Sequence, residues 1–164
     1  MKSNVVMNFV VDKENSKVLV EREFAAPVAN VWSAFTESQI LDQWWAPKPW
    51  QAKTKSQDFQ EGGTWLYSMV GPDGTEHWSL FNYESINPQK SFGGQDAFCD
   101  ENGVVNPDFP TSNWSNTFSE STNGTTVSIE INYPKTADLE KFLEMGFKEG
   151  FTLGLDQLDD LLAA

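Results

Sequence analysis

The spacing of hydrophobic residues changes from a period of two to one of three to four, returns to two, and ends on a long helical period. Val5 to Val11 has strand composition, and the polar run Asp12 to Ser16 reads as a turn. Lys17 to Phe24 reads as a second strand that would pair with the first as a hairpin. Val18, Val20 and Phe24 share one of its faces, and Arg22 shares it with them. Pro27 opens a helix where its missing N–H costs nothing, and Val28, Val31, Trp32 and Phe35 give that helix one apolar stripe. A second short helix runs through Ser38 to Trp44, with Ile40, Leu41, Trp44 and Trp45 as its apolar side. Pro47 and Pro49 stop it.

From Trp50 onward the pattern is β. Thr64 to Val70 alternates with Trp65, Tyr67 and Met69 on one face, and Gly71-Pro-Asp-Gly74 is a turn. Glu76 to Ile86 places His77, Phe81 and Tyr83 on one face and Trp78, Leu80 and Ile86 on the other, with a bulge as the alternative that swaps the faces midway. Gly93 to Ser112 is dense in Gly, Asp, Asn and Pro and reads as a long, poorly structured loop. Two strands follow, one carrying Trp114 and Phe118 on a common face, the other Val127, Ile129, Ile131 and Tyr133. Asn123-Gly124 forms a tight turn between them.

The last segment, Pro134 to Leu162, reads as one helix of about six turns, with Leu139, Phe142, Leu143, Phe147, Phe151, Leu155, Leu158 and Leu162 on one face. Gly146, Gly150 and Gly154 interrupt it at four-residue spacing, each costing about 1 kcal/mol against Ala inside a helix. Either the glycines allow close approach of the sheet's aromatics, or they open space for a ligand beside Phe147 and Phe151. The pattern as a whole predicts a single α+β domain, residues 1–164, whose C-terminal helix packs into a curved antiparallel sheet around an apolar interior.

Composition sharpens this. Seven Trp and twelve Phe supply enough large apolar surface to exclude wholesale disorder. A formal net charge of −13 repels phosphate backbones and anionic headgroups, so neither nucleic acid nor a membrane surface is an expected partner. The apolar stretch after Met1 to Asn4 is short for a signal peptide and far short of a membrane span, and Cys99 stands alone, so a cytoplasmic location is expected. One His and one Cys are too few soft ligands for a metal site, and no phosphate-binding loop, nucleophile elbow or catalytic triad is legible. No cofactor is expected. Asp156, Asp159 and Asp160 lie near a helix C-terminus and read as solvated surface charges.

Several segments together resemble one family. Glu21-Arg-Glu-Phe-Ala-Ala-Pro27, Val31-Trp32 and Leu41-Asp-Gln-Trp-Trp-Ala-Pro47 resemble the opening of activator-of-Hsp90-ATPase-like (AHSA1-like) domains of the START-like, or SRPBCC, superfamily. Gly62-Gly63, Gly71-Pro-Asp-Gly74, Met145-Gly-Phe-Lys-Glu-Gly-Phe151 and Leu155-Asp-Gln-Leu158 resemble its later motifs, in consistent order from about Val18 to Leu162. The resemblance implies a helix-grip (Bet v 1-like) fold: a curved antiparallel sheet, two short helices after the first strand, and a long C-terminal helix closing a cavity. Residues 1–16 then read as an extra strand and turn. Ala46 stands where the family often has Gly, Phe147 and Phe151 stand where Trp is common, and the 93–112 segment is longer and more polar than the family pattern.

Residues expected to line such a cavity are Arg22, Trp45, Trp65, Tyr67, Met69, His77, Phe81, Trp114, Phe118, Phe147, Gly150 and Phe151. Arg22 would either pair with an acidic ligand group or serve as a salt-bridged strand residue. His77 is either a proton-transfer group or a merely hydrogen-bonded strand histidine. Three functions remain open: binding of a hydrophobic or aromatic small molecule in a pocket on the order of 300–1,000 Å³, a stress-response contact with an Hsp90-type chaperone, and cyclase- or hydrolase-like catalysis. Fold alone does not choose among them.

Overall fold

The computed structural model describes residues 7–163. The start of the first predicted strand, Val5 and Val6, and the residues before it lie outside that range. Eight strands form one antiparallel sheet in the order β1-β2-β8-β7-β6-β5-β4-β3. The strands β1 (Met7–Asp12) and β2 (Lys17–Phe24) make the predicted hairpin. Helices α1 (Val28–Thr36) and α2 (Ser38–Trp44) then cross to β3 (Gln51–Gln57) at the far edge. From there β4 (Thr64–Val70), β5 (Glu76–Asn87), β6 (Ser91–Cys99), β7 (Ser112–Ser121) and β8 (Gly124–Asn132) return across the sheet to β2. Helices α3 (Thr136–Glu144) and α4 (Phe147–Ala163) close the chain.

Alternation decides the two faces. Val18, Val20 and Phe24 of β2 and Val127, Ile129 and Ile131 of β8 are all but fully buried on the inner face, where α4 meets β2 and α1 meets β8. In β5 the register shifts between Tyr83 and Ser85. This is the face-swapping bulge, and it brings both Tyr83 and Ile86 to the main core. Leu66, Leu80 and Ala97 form a small cluster of their own, with Trp78 and Cys99 beside it. The N-terminal strand extends the inner face, because Phe9 reaches the Phe147 ring at a centroid distance of 6.3 Å.

The 93–112 segment differs from its sequence reading. Residues through Cys99 form β6, paired with both β5 and β7. Gly93 and Gly94 read as punctuation but sit inside the sheet where neighbouring backbones come too close for a side chain. A Cβ on Gly93 would lie 2.8 Å from the Trp114 carbonyl oxygen, and one on Gly94 would strike the Asn82 carbonyl. The remaining loop, residues 100–111, is held by its own hydrogen bonds. Asp100 Oδ1 accepts from the Asn102 and Val104 amides, and Asn106 Oδ1 accepts from Asp108. It braces α3 through Lys141, which donates to the Asp108 carbonyl at 3.2 Å and lies over the Phe109 ring.

The C-terminal helical segment is also divided. α3 ends at Glu144, and Gly146 adopts φ +87°, the left-handed conformation that ends helices, before α4 begins at Phe147. The apolar periodicity survives the break because both helices turn the same side to the sheet, so spacing alone does not reveal it. Two glycines remain inside α4, and they do different work. A Cβ on Gly154 would stand 3.3 Å from the Trp44 carbonyl, so this glycine permits close approach to the end of α2. Gly150 faces only Pro47 Cγ, at 3.6 Å.

Candidate functional site

Between the inner face of the sheet and the α3–α4 junction lies a cavity of about 240 Å³. Its position follows from local sequence. Pro47 ends the α2 region and aims Trp45 inward, β4 contributes Tyr67 and Met69, and β7 contributes Trp114. From α4 come Phe147, Gly150 and Phe151, one turn apart, with the two rings stacked at 5.4 Å and Gly150 leaving open the space a side chain would take. Met145 and His77 line it and are exposed, which marks the rim.

Eight of the twelve residues expected from sequence therefore line this cavity: Trp45, Tyr67, Met69, His77, Trp114, Phe147, Gly150 and Phe151. Trp65 and Phe81 lie one layer deeper, around a void of about 20 Å³ that shares Trp45, Tyr67 and Trp114 as its wall. Phe118 packs against Trp32 and Phe35 in the core, with centroids at 5.1 and 5.4 Å, and lines neither space.

Arg22 also lines neither. It points inward as its strand position requires, but its Nη1 meets Asp156 Oδ1 at 2.8 Å and its Nη2 lies 3.7 Å from Asp159 Oδ2. Asp156 and Asp159 are consequently not solvated surface charges, and Asp159 is only 6% exposed. A buried guanidinium on β2 supplies the compensating charge that the helix C-terminus alone would not.

The polar groups of the cavity are few and converge. Trp45 Nε1 donates to Tyr67 Oη at 2.9 Å, and Tyr67 also shares a hydrogen bond with Ser79. Trp114 Nε1 donates to Ser112 Oγ at 3.0 Å. Burial, reinforced by the nearby Asp96, pushes the Tyr67 and Tyr133 hydroxyls well above their ordinary titration range, so both stay neutral. His77 stacks on Trp50 at 5.3 Å. Among the described residues no group of His, Cys, Asp and Glu is placed to hold a metal ion.

Among the lining residues that sequence reasoning missed, which include Tyr133 and Phe142, the acidic one is Asp96. It lines both the cavity and the deeper void, and burial pushes its carboxyl up to about 7. It fell within the stretch read as loop. The period-two set Phe92, Gly94, Asp96 and Phe98 was the available signal, masked by the glycines.

A curved antiparallel sheet gripping a C-terminal helix over an aromatic-lined cavity defines a helix-grip, START-like domain. The chain belongs to the family of Activator of Hsp90 ATPase homolog 1-like proteins, whose model matches residues 25–163. It is similar to protein Ms6760 from Mycobacterium smegmatis, with 30% identity and a TM-score of 0.88 over 96% of each chain. It is also similar to a protein from Arthrobacter aurescens, with 27% identity and a TM-score of 0.89 over 95% of this chain and 91% of that one. An AHSA1 protein from Silicibacter pomeroyi shares the fold at 21% identity, with a TM-score of 0.72 over 90% of this chain and 97% of that one. No curated protein matches the chain. No helix among the described residues is long and apolar enough to cross a membrane.

Proposed function

We propose that the protein binds a hydrophobic or aromatic small molecule in the cavity between β4–β7 and α4. One observation carries this reading. The interior elsewhere is filled by interlocked rings, such as Phe35 on Trp44 at 4.9 Å and Phe59 on Tyr83 at 4.8 Å, yet about 240 Å³ beside Phe147 and Phe151 stays open. Protein interiors pack to crystal-like density, so an apolar cleft of this size beside the core, open at the His77–Met145 rim, is space that a ligand can fill. The volume falls just below the usual range for drug-sized ligands, which favours a body of one or two rings.

A ligand that binds the folded state raises the melting temperature through RT ln(1 + [L]/Kd). A panel of one- and two-ring apolar compounds should produce such shifts in the wild type. The Gly150→Leu variant should lose them, because its side chain fills the cavity from a helix position that favours Leu over Gly. Shifts that persist undiminished in Gly150→Leu would place the binding elsewhere and end this reading.

Family membership favours a second reading, contact with an Hsp90-type chaperone. Purified Hsp90 should then hydrolyse ATP at a changed rate when this protein is added. An unchanged rate together with no detectable association removes it.

A further inference from the structure

We propose that the cavity selects an apolar amine: a one- or two-ring hydrocarbon body whose protonated nitrogen pairs with Asp96. This rests on the reading of the cavity as a ligand site and names the class of ligand. Asp96 lies on the inner face of β6, opposite Phe81 of β5, at the boundary between the open cavity and the deeper void. Its backbone is held in the sheet, but among the described residues its carboxyl meets no hydrogen-bond donor and no cation. No Lys or Arg lines the cavity, and the other ionisable side chains that do are Tyr67, Tyr133 and, out at the rim, His77.

A half-buried carboxyl group walled by rings and offered no partner is a poor structural element and a good receptor. Its burial penalty is relieved by any ligand that brings a positive charge. The rings beside it, Trp45, Tyr67, Trp114 and Tyr133, add the π-electron surface that recognises ammonium groups in aromatic cages. The net charge of −13 raises the local concentration of cations and lowers that of acids. Fatty acids and other apolar carboxylates would bring a second negative charge against Asp96. The same geometry therefore disfavours them.

The test compares 2-(1-naphthyl)ethylamine with 2-(1-naphthyl)ethanol, which share a body and differ in charge, by calorimetric titration of the wild type and of Asp96→Asn. At pH 8 the wild type should bind the amine at least about tenfold more tightly than the alcohol, as a desolvated charge pair requires. Asp96→Asn should bind both alike. A second readout that needs no variant is titration of the wild type from pH 8 to 5.5. Amine affinity should fall as Asp96 takes up its proton, while alcohol affinity stays level. The titratable groups facing Asp96 from β4 and from the end of β8 are Tyr67 and Tyr133, and Cys99 lies on the opposite face of its own strand. All three remain neutral throughout, and His77→Gln controls for the rim. Equal affinity for amine and alcohol in the wild type overturns the amine proposal and leaves the cavity reading standing. If neither compound binds, both fall.

Discussion

Trp45 donates its indole N–H to the Tyr67 hydroxyl at 2.9 Å, and this bond ties the segment after α2 to β4 across the cavity wall. Both rings are held further by aromatic contacts: Tyr67 stacks on Trp65 at 4.0 Å, and Trp45 meets Phe151 at 5.9 Å. Tyr67→Phe keeps the ring and removes the acceptor. The indole N–H is then left unpaired in a largely apolar wall, which costs about 1–3 kcal/mol. The expected result is a lower urea midpoint at unchanged m-value, together with a shift in tryptophan emission. Stability equal to wild type would mean that water replaces the hydroxyl.

A second tie joins the opposite ends of the chain. Arg22, Asp156 and Asp159 form a buried cluster between β2 and α4. Arg22→Met preserves much of the packing volume but takes the buried guanidinium away from two carboxylates near a helix end. Breaking such a cluster by removing one partner destabilises by roughly 3–5 kcal/mol. The triple change Arg22→Met, Asp156→Asn, Asp159→Asn should recover a good part of that loss. Chemical denaturation of the single and triple variants measures both. A single variant within about 0.5 kcal/mol of wild type, the range of an ordinary surface substitution, would show the cluster to be solvent-screened.

These relationships mark where sequence reading succeeds and stops. The hairpin, both short helices and the inner faces of β4, β7 and β8 follow from local periodicity, which left the β5 bulge as one of two alternatives and did not place it at Tyr83. Arg22 was legible as inward-facing, but its partner Asp156 lies 134 residues away, with Asp159 farther still, and both were invisible to any local rule. Gly93 and Gly94 misled because glycine marks both turns and crowded strand crossings, and only the neighbouring chains distinguish them. The division at Gly146 was masked by an apolar stripe that runs through it. Asp96 was lost with β6.

The two glycines inside α4 should respond in opposite directions. Gly150→Ala meets only Pro47 at an ordinary contact distance and gains helix propensity. It should therefore raise stability by about 0.5–1 kcal/mol. Gly154→Ala gains the same propensity but presses on the Trp44 carbonyl at 3.3 Å. That carbonyl cannot readily yield, because it accepts a hydrogen bond from Gln157 Nε2 at 3.0 Å. The same amide also holds the Ala46 carbonyl at 2.9 Å. Gly154→Ala should thus be neutral or destabilising. Urea midpoints of the pair decide it, and equal gains from both would show that the end of α2 is free to move.

Asp96 makes the stability of the protein depend on pH in a direction opposite to that of most carboxylates. Its ordinary value is 3.8, and burial raises it to about 7 in the folded state. Between those values the folded protein holds a proton that the unfolded chain has released. Stability therefore falls as pH rises through that window, and the penalty is complete above about 7. Asp96→Asn removes the titration while keeping the shape. At pH 8 the variant should exceed the wild type by on the order of 2 kcal/mol, less than the full shift implies because the cavity gives the carboxylate some access to water. The difference should shrink as pH falls and vanish only below the ordinary value of 3.8, where the unfolded carboxyl takes up its proton as well. Denaturation midpoints of the two proteins at pH 4.5, 6 and 8 measure the gap, and the background from all other titrating groups cancels in the comparison. A gap that does not grow with pH would mean that Asp96 is ionised in the folded protein without penalty. The cavity would then already satisfy the charge that an amine is proposed to meet.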